Sequence, residues 1–308
     1  MDLILDCLTD TLVDTLKLLP FLFLTYLAME AIERRLETAQ DSLLRRRGKN
    51  VLGPIAGALL GAIPQCGFSA SSASLYSGGL ISIGTLLAVF LSTSDEMLPL
   101  LISSKSSVLT MVCIVASKAA VGLITGLCVD FAVKRFWKIR RKKGLPSPDE
   151  NAPLQLSPKH IHDLCEDEHC GCEEEEGGIL RSALKHTLHI VIFVLIITFA
   201  LNLAVSFLGE DELQTVLAGH PIAGIFLSSA VGLIPNCASS ILITQLYLDG
   251  LITVGQMMAG LLVGSGVGLL VLFRTNRRHI KESAIITVML YLSGVIWGLL
   301  ITAVLALI

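Results

Sequence analysis

Apolar residues form long uninterrupted runs that are spaced along the whole chain. Four runs reach about 20 residues, the length that a helix needs to cross about 30 Å of hydrocarbon. They cover residues 12–31, 108–133, 190–208 and 285–308. Strands of a membrane barrel would instead alternate apolar and polar positions over about 10 residues. The pattern therefore predicts an all-α integral membrane protein.

Composition and charge agree with this class and add an orientation. A chain of 308 residues with 53% hydrophobic content and a mean hydropathy of +0.73 is too apolar for a water-soluble domain. Three basic segments, 34–49, 134–143 and 274–281, are expected inside the cell. The acidic start and the acidic segment 209–212 are then outside. We expect a bacterial-type inner (plasma) membrane protein with both termini extracytoplasmic.

An internal repeat accompanies this pattern. Residues 61–94 and 232–265 align without a gap at one offset (for the two prolines, 235 − 64 = 171). Shared Pro, Cys, Tyr and Gly at one register exceed what two apolar segments share by composition, so the repeat predicts a duplication. The identical pairs include Gly61/Gly232, Ile63/Ile234, Pro64/Pro235, Cys66/Cys237, Ser69/Ser240, Tyr76/Tyr247, Gly79/Gly250, Gly84/Gly255, Ala88/Ala259 and Ser94/Ser265.

The charged segments also limit how often each half crosses the membrane. Residues 51–105 must cross an odd number of times, yet their length gives only about 80 Å of helix, less than three crossings. We interpret 51–77 as a re-entrant helical hairpin and 79–102 as one crossing. In the second half, 221–247 is the hairpin, entering from the opposite side, and 251–273 is the crossing.

Each half then has three transmembrane helices and one re-entrant hairpin, which makes ten helical segments in two inverted-topology repeats. The first membrane repeat is expected at 1–143 and the second at 179–308. A flexible cytoplasmic linker rich in His, Cys and Glu joins them at 144–178. Inverted repeats with broken helices are typical of secondary transporters.

Each hairpin is expected to turn at a proline in the middle of an apolar stretch. Non-helical backbone at that depth must be buried in protein or line a watery cavity. The helix that restarts after the proline offers free amides to a small anion; alternatively, the proline is a kink and the small residues serve tight packing. The candidate substrate-binding residues are Pro64, Gln65, Cys66, Gly67, Ser69, Ser71, Ser72, Pro235, Asn236, Cys237, Ser239 and Ser240.

The helix after each hairpin carries a second kind of interruption. Ser and Gly runs free backbone carbonyls, which are ligands for a coupling H⁺ or Na⁺ site or for substrate. Asp95 and Glu96 are ionisable groups deep in a span, which indicates function; alternatively, Asp95 forms an ion pair with Lys118, or Lys118 faces an anion. The candidate coupling residues are Ser92, Thr93, Ser94, Asp95, Glu96, Lys118, Gly264, Ser265 and Gly266.

Cysteine supplies a separate chemistry at the tips and in the linker. Cys66 and Cys237 favour soft ions such as trivalent arsenic or Cu(I) if they act as ligands, and otherwise are small packing residues. The linker residues favour a flexible site for Zn, Cu or As(III), with acidic disorder as the alternative. These candidate metal ligands are His160, His162, Cys165, His169, Cys170 and Cys172.

The chain resembles a known family at these motifs. The paired G-x-I-P-x-C hairpins, the STSDE segment at 92–96, the GSGVG segment at 264–268 and the His/Cys/Glu-rich central loop are similar to those of ten-helix heavy-metal exporters. Members of that family are described as arsenic efflux proteins and in some cases as manganese transporters. The resemblance covers nearly the whole chain and implies export from the cytoplasm. The general plan is also similar to ion-transporter folds with two opposed hairpins.

The leading hypothesis is a secondary-active exporter of a toxic metal or metalloid species, arsenite-like, that works by alternating access. The alternatives are an exporter of an oxyanion such as phosphate, an exporter of Mn(II) and, from another class, a membrane metal sensor. An enzyme is not expected, because no His or metal cluster falls at membrane depth. We expect a small inorganic ion and the lipid bilayer as partners, no nucleic acid, no cofactor beyond the ions named above, and a homodimer as one candidate assembly.

Overall fold

The computed structural model describes residues 52–63, 66–94, 97–104, 107–142, 179–208 and 221–307, together with parts of 9–27. The regular structure of these residues is helical, without strands, as the sequence predicts. The helices are α1 (Leu52–Gly61), α2 (Cys66–Ser77), α3 (Ile83–Ser92), α4 (Met97–Ser103), α5 (Val108–Lys142), α6 (Ile179–Leu208), α7 (Pro221–Gly232), α8 (Cys237–Leu248), α9 (Val254–Val263), α10 (Gly268–Thr275), a 3-10 turn (Arg277–His279) and α11 (Ile280–Leu307).

Three segments of these residues are long and apolar enough to cross a membrane, by length and composition. They are Val108–Phe136, Val254–Thr275 and Ile280–Leu307. The first and third carry many exposed apolar side chains, which suits helices that face lipid. In Val254–Thr275, by contrast, 89% of the apolar window is buried. The interrupted α9–α10 segment therefore lies at the centre of the fold, with long helices around it.

Helix boundaries of the first half recur in the second half at the offset of the sequence repeat. The start and end of α2 match those of α8, and those of α3 match α9, each 171 positions on. The turns that lead into α3 and α9 agree too, since Gly79 and Gly250 both have φ near 73°. Glycine adopts this left-handed conformation without steric cost, which explains its presence in both turns.

Close contacts at two glycines of α1 show the direction of α1 relative to α3. A Cβ on Gly53 would lie 2.5 Å from Thr85 Oγ1, at the start of α3, and one on Gly61 would lie 2.0 Å from Ser92 Oγ, at its end. The two helices therefore run in the same direction. Because α2 joins the end of α1 to the start of α3, α2 runs back, and α1 and α2 form a helical hairpin.

The second half is arranged in the same way. Both α7 and α9 run antiparallel to α11, so they are parallel to each other, and α8 runs back between them as the return arm of a second hairpin. The contacts that show the direction are Ile225 with Gly298 and Ser229 with Gly294 for α7, and Gly255 with Thr302 and Val263 with Gly294 for α9.

The return arm of the first hairpin packs on the second half. A Cβ on Gly268, at the start of α10, would lie 2.8 Å from the Cβ of Ser69 near the start of α2. At the other end of both helices, the hydroxyls of Ser77 and Thr275 are 2.7 Å apart. The helices α2 and α10 therefore run parallel, and the main apolar core joins residues of both halves around Phe90.

Candidate transport site

Two breaks in the central helices form the frame of the site. Helix α3 ends at Ser92 and α9 ends at Val263, and each is followed by non-helical residues before helix resumes. Gly266 in the second break has φ of 54°, a conformation that a residue with a side chain rarely adopts. The side chains that flank the breaks are buried, and they are Ser92, Thr93, Ser94 and Ser265.

Both hairpins reach the second break through the first turns of their return arms. A Cβ on Gly264 would lie 3.2 Å from Ser240 Oγ of α8, and one on Gly268 would lie 2.8 Å from Ser69 of α2. Residues 264–268 are thus flanked by Ser240 at one end and by Ser69 at the other. The two serines are equivalent positions of the repeat, so the first turns of α2 and α8 both lie against one short stretch of backbone.

Hydroxyl groups near the site mostly donate to carbonyl groups of their own helix. Ser72 Oγ donates to the Ser69 carbonyl at 2.8 Å, and Ser239 Oγ donates to the Asn236 carbonyl at 2.8 Å. Thr93 Oγ1 donates to the Val89 carbonyl at 2.7 Å. A hydroxyl has one hydrogen and two lone pairs. In this conformation these groups therefore offer acceptor lone pairs to a ligand.

Lys118 of α5 joins the breaks of the two halves. Its ammonium group is buried, with 1% of the residue exposed. Nζ donates to the carbonyl of Thr93, the residue after α3, and to the carbonyl of Leu261 in α9 at 2.8 Å. A buried ammonium is stable only when it is compensated by such acceptors or by a carboxylate. The structure therefore places the amino group of Lys118 between the two broken helices.

Several predicted site residues cannot be compared with this geometry. Pro64, Gln65, Asp95 and Glu96 lie outside the described residues, and so do the six linker ligands at 160–172. For Cys66 and Cys237 the structure describes the helix that they begin and not the side chain. The described tip residues Gly67, Ser71, Ser72, Asn236 and Ser239 are buried, while Pro235 and Ser240 are partly exposed. The Asp95–Lys118 ion pair and the thiol site remain predictions.

The sequence interpretation missed a buried carboxylate, Glu282. Only 1% of this residue is exposed, and its Oε1 accepts a hydrogen bond from the hydroxyl of Tyr76 on the first hairpin. The signal in the sequence was weak, because Glu282 follows a basic segment and looks like the end of a loop. The structure shows that it faces the protein in the first turn of α11.

A second missed carboxylate, Asp130 of α5, fixes the start of α3. Its Oδ1 accepts from the Gly84 amide at 2.9 Å and its Oδ2 accepts from Ser82 Oγ at 2.7 Å. An acidic group at a helix N-terminus compensates free amides and the helix dipole. An aspartate within the apolar run 108–133 was the available signal. Its role in this structure is to hold the turn between α2 and α3.

Within the part of the chain that the structure describes, no three His, Cys, Asp or Glu side chains come together as a metal-binding group. The described ligands at the breaks are instead carbonyls, hydroxyls and one ammonium. Groups of this kind have the chemistry to hold a small polar solute by hydrogen bonds.

Comparison with known families agrees with this architecture. Residues 1–160 match the family described as "Putative, 10TM heavy-metal exporter". The chain belongs to this family, and the resemblance that its motifs indicate is confirmed over the matched residues, 1–160. No curated protein matches the chain. No solved structure matches it either.

Proposed function

We propose that this protein is a secondary-active exporter of an arsenite-like metalloid species in a bacterial-type inner membrane, working by alternating access. The observation that carries the proposal is the approach of both hairpins to one buried break, with Ser240 against Gly264 and Ser69 against Gly268. A solute held there touches both halves of the protein. A shift of one half against the other then changes the side from which the solute is reached.

The proposal treats both hairpins as re-entrant and the two halves as inverted. Helices of 10 and 12 residues are about 15 to 18 Å long, too short to cross about 30 Å of hydrocarbon. Each hairpin also returns to the side on which it began. Helix α2 runs antiparallel to α3 and parallel to α10, so α10 runs opposite to α3. Because α9 and α10 belong to one apolar segment, Val254–Thr275, α9 also runs opposite to its equivalent α3, which supports inversion.

The hydrogen-bonding state of the site supports arsenite as the cargo. Arsenite in neutral water is a trihydroxide that carries no charge and donates hydrogen bonds, so it pairs with acceptor groups. The described hydroxyls of Ser72, Ser239 and Thr93 already donate to backbone carbonyls and offer acceptors. The thiols of Cys66 and Cys237 add soft ligands for trivalent arsenic in this proposal.

An oxyanion such as phosphate is the second candidate, favoured by one observation. The buried amino group of Lys118 lies between the broken helices and, when protonated, is a positive charge there. An anion would gain from this charge, although its oxygens would need hydrogen-bond donors, which the described hydroxyls supply only after they leave their helix carbonyls. Mn(II) would depend on Asp95 and Glu96 and is the third candidate.

Uptake into everted membrane vesicles tests the cargo. Wild-type protein is expected to accumulate arsenite and to show little uptake of phosphate, arsenate or Mn(II). The double variant Cys66→Ser/Cys237→Ser should lose most arsenite uptake, while Cys128→Ser, an exposed cysteine of α5, serves as the matched control and should retain it. If the vesicles instead accumulate phosphate, and this uptake is lost in Ser69→Ala but unchanged in the thiol variant, the cargo is an oxyanion and not arsenite.

Coupling and topology complete the proposal. We assign the coupling H⁺ or Na⁺ site to Asp95, with Glu96 and the breaks around Thr93 and Gly264 as its surroundings.

The linker at 144–178 is cytoplasmic, both termini are outside, and the linker ligands collect metal and do not transport it. Protease access from each side of sealed vesicles, measured at the linker, tests this orientation.

A further inference from the structure

Arg274, in the last turn of α10, rests on an aromatic ring at the edge of the fold. Its guanidinium lies over the ring of Phe193 of α6, 5.3 Å from the ring centroid. Within the described part of the chain it makes no ion pair, and its buried Nε–H has no hydrogen-bond partner. The residue is partly exposed, and its terminal nitrogens Nη1 and Nη2 remain accessible. The guanidinium therefore has N–H donors left for an acceptor from outside the protein.

The contact between Arg274 and Phe193 lies at the level where the membrane surface is expected. The apolar segment Val254–Thr275 ends one residue after Arg274. On α6 the apolar run 190–208 begins three residues before Phe193, which is about 4.5 Å along the helix. Both helices therefore mark the same boundary between hydrocarbon and headgroups. An arginine at this depth keeps its apolar stem among the chains and extends its charged group toward the headgroups.

An exposed apolar strip of α6 passes this contact. Leu188, Ile192 and Ile196 follow one another at a spacing of four residues, so they share one face of the helix. Each of the three side chains is 50% exposed or more. Ile192 precedes Phe193 directly, so the strip begins before the aromatic ring and continues beyond it into the bilayer. A cationic group at the boundary and an apolar strip beside it match the phosphate and the acyl chain of a phospholipid.

We propose that α6 and α10 form a binding site for an anionic phospholipid, with Arg274 as the ligand of its phosphate. The terminal N–H groups of the guanidinium donate to the phosphate oxygens, and the ring of Phe193 holds the guanidinium in position. Phosphatidylglycerol fits this site better than phosphatidylcholine, because its headgroup has a net negative charge and no quaternary ammonium that the arginine repels. The site requires that the chain lies in a bilayer, and it is independent of the cargo and of the direction of transport.

A lipid bound at Arg274 acts on the contact between the two halves of the protein. The next residue, Thr275, has its hydroxyl 2.7 Å from that of Ser77, the last residue of α2. A phosphate bound to Arg274 fixes the end of α10 beside α6 and so stabilises the surface on which the first hairpin packs. Phosphatidylglycerol should therefore raise the unfolding temperature of the purified protein in detergent more than phosphatidylcholine does.

Native mass spectrometry of the full chain in detergent tests the site. Phosphatidylglycerol and phosphatidylcholine with the same acyl chains are titrated separately, and the fraction of protein that retains one lipid is measured. Wild-type protein is expected to bind phosphatidylglycerol about tenfold more tightly, the effect of one charge-assisted pair. Equal affinity for the two lipids would overturn the proposal. Inorganic phosphate, added at matched ionic strength, should not displace the lipid; displacement would show that the site takes a free anion and would overturn it too.

Two variants of the site and one control locate the lipid. Arg274→Gln should abolish the preference for phosphatidylglycerol, whereas Arg277→Gln, the same loss of charge at an exposed arginine three residues on, should change it by less than about twofold. Equal losses in the two variants would mean that the whole basic segment attracts the lipid, against the proposal. Phe193→Leu keeps the arginine and should weaken binding of phosphatidylglycerol about threefold, which keeps the test decisive if Arg274→Gln folds poorly. Unchanged binding in Phe193→Leu would contradict the site as described.

Discussion

The indole N–H of Trp297 donates a hydrogen bond to the hydroxyl of Thr125 at 3.0 Å. The two residues hold equivalent places in α11 and α5, since each lies 17 positions after the start of its helix (297 − 280 = 17 and 125 − 108 = 17); the two helices are thus related by an offset of 172, one more than the repeat at 61–94 and 232–265. A contact between equivalent residues means that the last long helices of the two halves cross at matching depth. The hydrogen bond therefore ties together the two elements that flank the interrupted central helices.

Removing this hydrogen bond should weaken the association of the two halves by a small, measurable amount. Trp297→Phe and Thr125→Val are each expected to lower stability, and a double-mutant cycle should give a coupling of about 0.6 kcal/mol, up to about 1.7, the range for polar contacts between membrane helices. Thermal unfolding in detergent measures it. Thr302→Val, which removes a hydroxyl that is hydrogen-bonded within its own helix, is the control. A coupling energy of zero between Trp297 and Thr125 would show that their hydrogen bond does not stabilise the protein.

Gly232 is predicted to be more sensitive to substitution than Gly250. A Cβ on Gly232 would lie 2.2 Å from the Gly260 carbonyl oxygen, which is backbone and cannot turn away. Gly232→Ala should push the second hairpin from α9, cost about 1 to 3 kcal/mol and abolish transport.

Gly250 is the matched control for this prediction. It has a φ of 73°, and a Cβ added there would have no heavy atom of another part of the chain within 4 Å. Gly250→Ala should therefore cost only conformational strain, about 1 kcal/mol, and leave transport largely intact. Transport in vesicles and unfolding in detergent measure both variants. Equal transport in the two would show that the close approach of α7 to α9 is dispensable.

The sequence was informative where structure depends on local chemistry. Repeated Pro, Gly and Ser positions predicted turns at Pro64 and Pro235 and interruptions at 92–96 and 264–268, because these residues alter backbone hydrogen bonding within a few positions. In the structure the helices before these positions end at Gly61, Gly232, Ser92 and Val263. The contact of Tyr76 with Glu282 joins residues 206 positions apart. Periodicity identifies a buried face but not the partner that covers it, so this contact needed the fold.

Deleting linker residues 159–176 should leave basal transport intact and change its dependence on metal concentration. The deletion removes all six candidate ligands, from His160 to Cys172, and retains part of the linker at each end. A matched variant that replaces these six residues by Ser keeps the length of the linker and should behave like the deletion. Uptake over a range of Zn, Cu and arsenite concentrations measures the effect. Loss of all uptake in the Ser variant would make the ligands part of the transport route.

Asp95→Asn should abolish ion-coupled transport while the protein still inserts in the membrane. The substitution keeps the size of the side chain and removes its charge, so a coupling site for H⁺ or Na⁺ loses its anionic ligand. Uptake driven by an imposed pH or sodium gradient measures coupling, and counterflow of labelled cargo without a gradient measures binding. Asp249→Asn, the same substitution at an exposed aspartate after α8, is the control. Normal gradient-driven uptake in Asp95→Asn would remove this residue from the mechanism.

Lys118→Met should separate the structural from the functional contribution of the buried ammonium. The variant keeps most of the side-chain volume but leaves the Thr93 and Leu261 carbonyls without their shared donor. An unsatisfied buried acceptor costs about 1 to 3 kcal/mol, so the unfolding temperature in detergent should fall. Arsenite, which is uncharged, should still bind to the folded variant, whereas an oxyanion would lose its counter-charge. Binding of arsenite and phosphate to purified Lys118→Met, compared with wild type by calorimetry, therefore distinguishes the two cargoes. A selective loss of phosphate binding would favour the oxyanion, and unchanged arsenite binding with reduced stability would make Lys118 a tether between the two broken helices.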